Sequence, residues 1–361
     1  MIKFALQKIA NVFLTLVGVS TFIFFLFNIL PGDPSQMMLD QKSDSKQLEL
    51  IKKKYGFNLP LSHQYLYYLN DLSLISCHSK NKKKFNYYDE FKYGGLKIVN
   101  MKNNVIVLKT PYLRTSYQKT GKEVTEIIKE TLPNTIYLSI TSILIAIFFG
   151  LFFGILSALN KDKFLDKFLQ LFSSLGISIP SFFSAIIFSW FFGYVLFEYT
   201  NLNMSGNLYE LDDIGETYQL KIKNLILPSI VLGIRPIAII TLLMRSELID
   251  VLNQNYIITA KAKGLSTFKI VFNHGIKNSL NPVITAISGW FASLLAGSVF
   301  VEYIFGWKGI GKEIVESLNS LDIPVVMGSV LTIATIFIFI NIFVDIIYRL
   351  IDPRINFELN K

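Results

Sequence analysis

Cysteine is nearly absent from this sequence: Cys77 stands alone, so no intrachain disulfide can form. Histidine is almost as scarce, and three of them with one cysteine are too few and too scattered for a metal site. Charge is thin as well, at 17% of residues, where soluble domains carry about 25%. Part of the chain therefore has lipid as its solvent. HExxH and GxSxG are missing, so a metalloprotease and an α/β-hydrolase nucleophile lack their parts. Gly306-Trp-Lys-Gly-Ile-Gly311-Lys312-Glu313 does fit GxxxxGK. It has Glu313 where Ser or Thr should hold Mg²⁺, and it follows an apolar run instead of a strand. Its glycines are expected to shape a tight loop, and any ATP hydrolysis must come from a partner. No cofactor is expected.

What the chain has in quantity is apolar sequence. Hydrophobic residues make up 52% of 361, and the mean hydropathy is +0.45. The net charge of +9 suits either nucleic acid or an anionic membrane surface, and the apolar runs decide for the membrane over nucleic acid. A bilayer core needs about 20 mostly apolar residues in a helix. Six stretches qualify: Ile9–Leu30, Thr135–Leu159, Phe168–Phe197, Leu225–Met244, Val283–Phe305 and Val325–Leu350. The first follows Lys3 and Lys8, is longer than a signal-peptide core, and lacks a small-residue cleavage site before Pro31-Gly32-Asp33-Pro34. It reads as an uncleaved anchor. Pro180 in the third run and Pro236 in the fourth are compatible with continuous spans, the alternative being pairs of short re-entrant pieces. The Phe-rich first and sixth runs are most simply lipid-facing.

The short inner segments carry thirteen basic residues and the short outer loops four, which favours both termini in the cytoplasm. The lysine-rich stretch Gly32–Thr131 is then a large outer loop, too long for its charge to control translocation. It shows weak alternation around Val105–Leu108 and no long helical period, so either a small folded cap or partial disorder fits.

The inner segment Ser246–Asn281 has a clearer pattern. Asn255 to Gly264 reads as a short helix, with Asn255 as N-cap and Gly264 as the left-handed residue that ends it. Ser266 then caps a second helix whose apolar face is Phe268, Val271, Phe272, Ile276 and Leu280. The result is a knob with small residues, Ala260 and Ala262, at its tip. Lys261 and Lys263 would meet acidic or helix-C-terminal groups of a partner. An amphipathic helix pair lying on the inner leaflet explains the same periodicity. Arg235, inside the fourth run, either lines a transport path, pairs with a polar group such as Glu302, or holds backbone carbonyls. Glu302 reads as interfacial and His274 as a packing residue.

The literal sequence adds a resemblance. Thr259-Ala260-Lys261-Ala262-Lys263-Gly264-Leu265, followed by His274-Gly275-Ile276-Lys277-Asn278-Ser279-Leu280-Asn281-Pro282, resembles the EAA loop of binding-protein-dependent ABC importer permeases. More narrowly it resembles their dipeptide/oligopeptide/nickel branch. The glutamate of the general pattern is absent, and Lys277 stands where other branches place proline. Leu30-Pro-Gly-Asp-Pro34, Lys54 to Leu61, Ser178 to Phe182, Gly297 to Gly311 and Asp352-Pro-Arg-Ile355 agree in order, with an apparent insertion between Leu74 and Lys109. The resemblance implies an all-α type I importer permease of about six transmembrane helices in the bacterial inner membrane. Its expected divisions are a first helix at 1–31, an extracytoplasmic loop at 32–120, a core at 121–352 containing the 246–281 loop, and a tail at 353–361. It further implies that Thr259 to Leu265 and His274 couple to an ATPase, with Arg235 and Glu302 as candidates for the path. The implied partners are a second homologous permease, two ATPase subunits, an extracytoplasmic binding protein, membrane lipid and a peptide substrate. A secondary transporter or channel, and a nickel importer of the same family, are the alternatives.

Overall fold

The computed structural model describes residues 2–29, 45–82, 84–212 and 214–351. The Leu30–Pro34 and Asp352–Ile355 motifs and the 353–361 tail lie outside the described residues. Five helices are long and apolar enough to cross a membrane, and a bent helix pair makes a sixth candidate. The chain divides into two compact units, 1–131 with 313–335, and 132–312 with 336–361.

In the first unit the helix Ile2–Ile29 is followed by helices Ser45–Tyr55 and Leu61–Leu72. No long helix was expected in this loop, and the two found are short, of 11 and 12 residues. Tyr65, Tyr68 and Leu72 recur at i, i+3 and i+7, and they pack with Ile23 and Phe24 of the first helix. Thr21 and Tyr65 share a hydrogen bond of 2.6 Å there. The stretch expected to be an insertion is folded. Strands Ile75–Ser79, Leu96–Asn100 and Asn104–Leu108 form an antiparallel sheet with the last strand in the middle. Val105 and Val107 point inward and are buried, as the alternation required.

A polar hub closes this unit. Asp71 is 5% exposed and accepts from Arg114 Nε at 2.9 Å, while its backbone carbonyl accepts from Lys109 Nζ at 2.5 Å and from the Tyr112 amide at 2.9 Å. His78 is fully buried beside Tyr93, with ring centroids 4.0 Å apart. Burial, reinforced by the Lys109 and Lys92 charges and opposed by Asp71, pushes its imidazole down to about 4. The folded sheet therefore refuses a proton that the unfolded chain accepts.

In the second unit the helix Val124–Leu159 lies against Lys223–Leu252. Gly150 and Gly154 sit one turn apart at that contact. A Cβ on either would come within 2.7 Å of Ile240 Cβ or 2.6 Å of Met244 Cβ, so both helices approach at backbone distance. Around this seam lie Leu138, Ala146, Val231, Ile240, Met244, Leu248 and Val283.

The two expected prolines behave differently. Pro236 stays within the continuous helix Lys223–Leu252, as does Pro228. Pro180 does not: helices Phe164–Ser178 and Ser181–Val195 meet at 107°, so the third run is a bent pair and not one straight span. Ile179 and Pro180 are both extended, at ψ 128° and 140°. A residue before proline is pushed out of the helical region, and proline cannot donate to continue the ladder. The turn before this pair is locked by Asp166, which is fully buried. It accepts from Arg245 Nε and Nη2 at 2.6 and 2.7 Å, Ser157 Oγ at 2.5 Å, the Asp162 amide at 2.8 Å and Gln170 at 2.9 Å.

Two outcomes are expected. Asp166→Ala strands Arg245 beside a cavity and should lower stability by about 3–5 kcal/mol, read from denaturant unfolding in mild detergent. For His78, the sheet should be fully stable above about pH 6.5 and loosen progressively as pH falls towards about 4. Hydrogen exchange at residues 75–108 in the full chain measures this, and His78→Phe should flatten the pH dependence.

Candidate coupling loop and the buried glutamate

The long helix ending at Leu252 turns into a short helix, Asn255–Ala262. Gln254 is its N-cap residue, one position before the expected Asn255, and no side chain caps it. Gly264 has φ +78°, the left-handed conformation that closes the helix, and its amide donates to Lys261 O at 3.0 Å. Ser266 starts the next turn, Thr267–Ile270, and its hydroxyl accepts from the Lys269 amide at 3.4 Å. A π-helical turn, Val271–Ile276, then leads into Lys277–Gly297.

This turn corrects the expected apolar face. Each π turn takes an extra residue, which rotates the side chains that follow. Of that face Val271 is buried as expected and Ile276 and Leu280 are half-buried, but Phe268 and Phe272 are 69% and 50% exposed, and Ile270, Gly275 and Ser279 are buried in their place. Their rings stand 4.4 Å apart on the surface. Ala260 also departs from its expected place at the tip. It is buried with Ile257 and Ile270, with Leu252 packed against them, so its small size serves packing inside the knob. The tip exposes Ile258, Thr259, Lys261, Ala262, Lys263, Gly264 and Leu265. His274 is half-buried, and its carbonyl accepts from Asn278 at 2.9 Å.

Glu302 was expected at an interface and is instead fully buried. Its Oε1 accepts from Ser298 Oγ at 2.8 Å, and its Oε2 accepts from the amides of Gly311 and Lys312 at 2.7 and 3.2 Å. Those amides open the helix Ile310–Asn319, whose N-terminus is a natural anion site. In the GxxxxGK-like segment this anion is a side chain of the chain itself. The rest of the loop is tied down as tightly. Trp307, fully buried, donates its indole N–H to Asn134 O at 3.0 Å, and the Ile310 amide donates to Thr135 Oγ1 at 2.9 Å. At Gly311 a Cβ would lie 2.6 Å from Val299 Cα, so no larger residue fits. No sequence motif marked this role; the useful signal was a carboxylate nine residues ahead of a glycine-flanked helix start.

Arg235 does not pair with Glu302. It is exposed, and its Nη2 donates to Ile177 O at 3.4 Å, a carbonyl in the last turn before the Pro180 break. It lines a cavity of about 80 Å³ together with Ser181, Ser184, Trp290 and Ser293.

Comparison with known proteins agrees with this architecture. The structure superposes on a chain of the MetNI methionine ABC transporter in an inward-facing conformation with a TM-score of 0.51 at 14% identity. That match covers 63% of this chain and 97% of the other. At that identity the match shows a shared helical fold, and five long apolar helices with a bent pair make it that of a polytopic membrane protein. Residues 150–357 match the family described as binding-protein-dependent transport system inner membrane component, and residues 1–82 match its N-terminal companion. The chain belongs to that family. Similar proteins include the dipeptide transport system permease DppB of Alkalihalophilus pseudofirmus, 31% identical over 99% of this chain and 100% of that one. The oligopeptide transport system permease AppB of Bacillus subtilis is 32% identical over 95% of each.

Removing the internal anion should be costly. Glu302→Ala leaves the Gly311 and Lys312 amides without their buried acceptor, at about 1–3 kcal/mol for each donor left unsatisfied. Protease nicking within residues 303–312 should then appear at lower denaturant than in the parent. Gly311→Ala should reproduce the effect by steric clash.

Proposed function

We propose that this chain is one permease subunit of an ATP-driven importer of short peptides. The observation that carries this reading is similarity to dipeptide and oligopeptide permeases along essentially the full length of both proteins. The chain works beside a second, homologous permease, and an extracytoplasmic binding protein delivers the peptide. Two cytoplasmic ATPase subunits hydrolyse ATP, for which this chain supplies no catalytic group. Both termini lie in the cytoplasm of the bacterial cell, and the long loop after the first helix faces outward. Neither nickel as cargo nor a self-contained secondary transporter has support of this kind. A secondary transporter would need paired broken helices, and one bent pair exists among the described residues.

Within this reading, residues 259–265 couple the ATPase to the membrane helices. The exposed Phe268–Phe272 pair, with Leu265 and Ile258, offers an apolar plug to a groove, and Lys261, Lys263 and Lys269 ring it with positive charge. Ile257, Ala260 and Ile270 pack with Leu252 at the end of the long helix, so a pull on the knob moves that helix directly. Arg235, beside the broken helix, is the candidate on this chain to meet cargo.

Two substitutions separate docking from folding. Phe268→Asp changes an exposed residue and should cut peptide uptake at least tenfold and abolish ATPase co-purification, with membrane insertion unchanged. Gly264→Val forces a β-branched residue to φ +78° and should distort the knob itself. Normal uptake by both variants would refute the coupling assignment.

A further inference from the structure

The break at Pro180 leaves a helix N-terminus near the middle of the third apolar run. The helix Ser181–Val195 starts there with no side chain capping it. Phe183 and Ser184 both donate their amides to Pro180 O at 3.1 Å. The amides of Ser181 and Phe182, ahead of them, make no hydrogen bond among the described residues. An open helix start carries about half a positive charge and favours an anion.

Ser184, one turn into this helix, is 6% exposed and lines the cavity of about 80 Å³ beside Arg235. Helical serines elsewhere return the hydroxyl to the carbonyl one turn back, as Ser178 and Ser288 do at 2.8 and 2.9 Å. For Ser184 that carbonyl is Pro180 O, already taken by two amides. Its hydroxyl makes no hydrogen bond among the described residues. Unlike the partnerless hydroxyls of Ser139, Ser229 and Ser329 it is not sealed off, so its oxygen keeps access to the cavity that the residue lines. Buried polar groups are nearly always satisfied, and this one lacks only an acceptor.

Arg235 adds a full charge to the same cavity. Its bond to Ile177 O at 3.4 Å uses one of five donors, and no carboxylate pairs with it among the described residues. No aspartate or glutamate lines the cavity, and Val231, Leu232 and Leu294 give it apolar walls that strengthen any ion pair made there. Asp166 and Glu302 are met by donors of the chain itself; here donors converge without an acceptor.

The geometry points to a carboxylate site at the helix break, in which the free C-terminus of a peptide accepts from Arg235, Ser184 Oγ and the open helix start. Trp290 and Ser293 also line a neighbouring hollow of about 270 Å³ with Ala286 and Gly289. A Cβ added at Gly289 would meet nothing within 4 Å, so the rest of the peptide has room to continue there. The identity of the cargo rests on the peptide-importer reading above; the site names the part of the cargo that this chain holds.

The test is binding to the full chain, purified from native membranes with the partners it retains and placed in phosphatidylcholine nanodiscs, with empty nanodiscs subtracted. The probes are alanyl-phenylalanine and its C-terminal amide, titrated by saturation-transfer NMR. The acid should bind about ten times tighter than the amide, the two differing by a charge-assisted contact. Arg235→Gln should equalise them, and Arg235→Lys should restore part of the preference. Ser184→Ala should weaken the acid about two- to tenfold, leave the amide unchanged, and leave the ligand-free melting temperature unchanged or raised. Equal binding of acid and amide by the parent, or no binding of either, would overturn the site. So would an Arg235→Gln variant that melts earlier yet keeps the preference, because the guanidinium would then serve only the helix break. Failure of the importer reading looks different: no ATPase co-purifies, yet the parent still prefers the acid. ATPase co-purification without that preference removes the site and leaves the importer reading standing.

Discussion

Within a bilayer no water is available to satisfy a backbone amide or carbonyl, so the chain must satisfy each one itself. Regular helix does this along most of the second unit. The informative places are those where the helix stops. At Ile179-Pro180 the ladder breaks, and the guanidinium of Arg235 reaches the Ile177 carbonyl. At Gly311 and Lys312 a new helix begins, and the Glu302 carboxylate takes its first amides. At the turn before Phe164, Asp166 accepts from the Asp162 amide while paired to Arg245. The few charges of this apolar region thus stand where backbone geometry creates a demand. A reading that treats each as a candidate transport group overlooks that prior use.

The knob extends the same economy to a surface. Its apolar content is divided, with Ile257, Ala260 and Ile270 turned inward and Phe268 and Phe272 turned outward. The inward set fixes the knob to the end of the long helix. That helix is joined to Val124–Leu159 along the Gly150 and Gly154 contact, where little side-chain volume is available to absorb strain. Close backbone packing of this kind transmits displacement in preference to dissipating it.

Much of the architecture was legible in the sequence, because membrane spans depend on length and apolarity alone. Five of the expected runs coincide with single long helices or with a helix continued by a short break. What was misread has particular causes. Pro180 and Pro236 look alike in sequence, yet only the first ends a helix, because tertiary packing decides whether a proline kinks or breaks. On the face expected over Phe268–Leu280, Phe272 lies within a π turn, which a fixed 3.6-residue period cannot anticipate, whereas Phe268 lies before that turn. The helix Leu61–Leu72 carries its period in tyrosines that act as core. Glu302 eluded motif analysis because its partners are amides, which have no sequence identity.

The sheet at residues 75–108 leaves and re-enters the fold at one place. Ile75 pairs with Leu108, and the Lys109 amide donates to Leu74 O at 2.9 Å. The chain on either side thus meets across one hydrogen-bonded rung, and Cys77, Phe85 and Tyr93 seat the sheet on the Leu61–Leu72 helix through Asn70, Tyr67 and Asp71. Lengthening a loop closed in this way costs only about 0.6 kcal/mol per doubling. The far turns of the sheet are therefore where its length can change without shifting the register of the helix that flanks it, so long as those seats are kept.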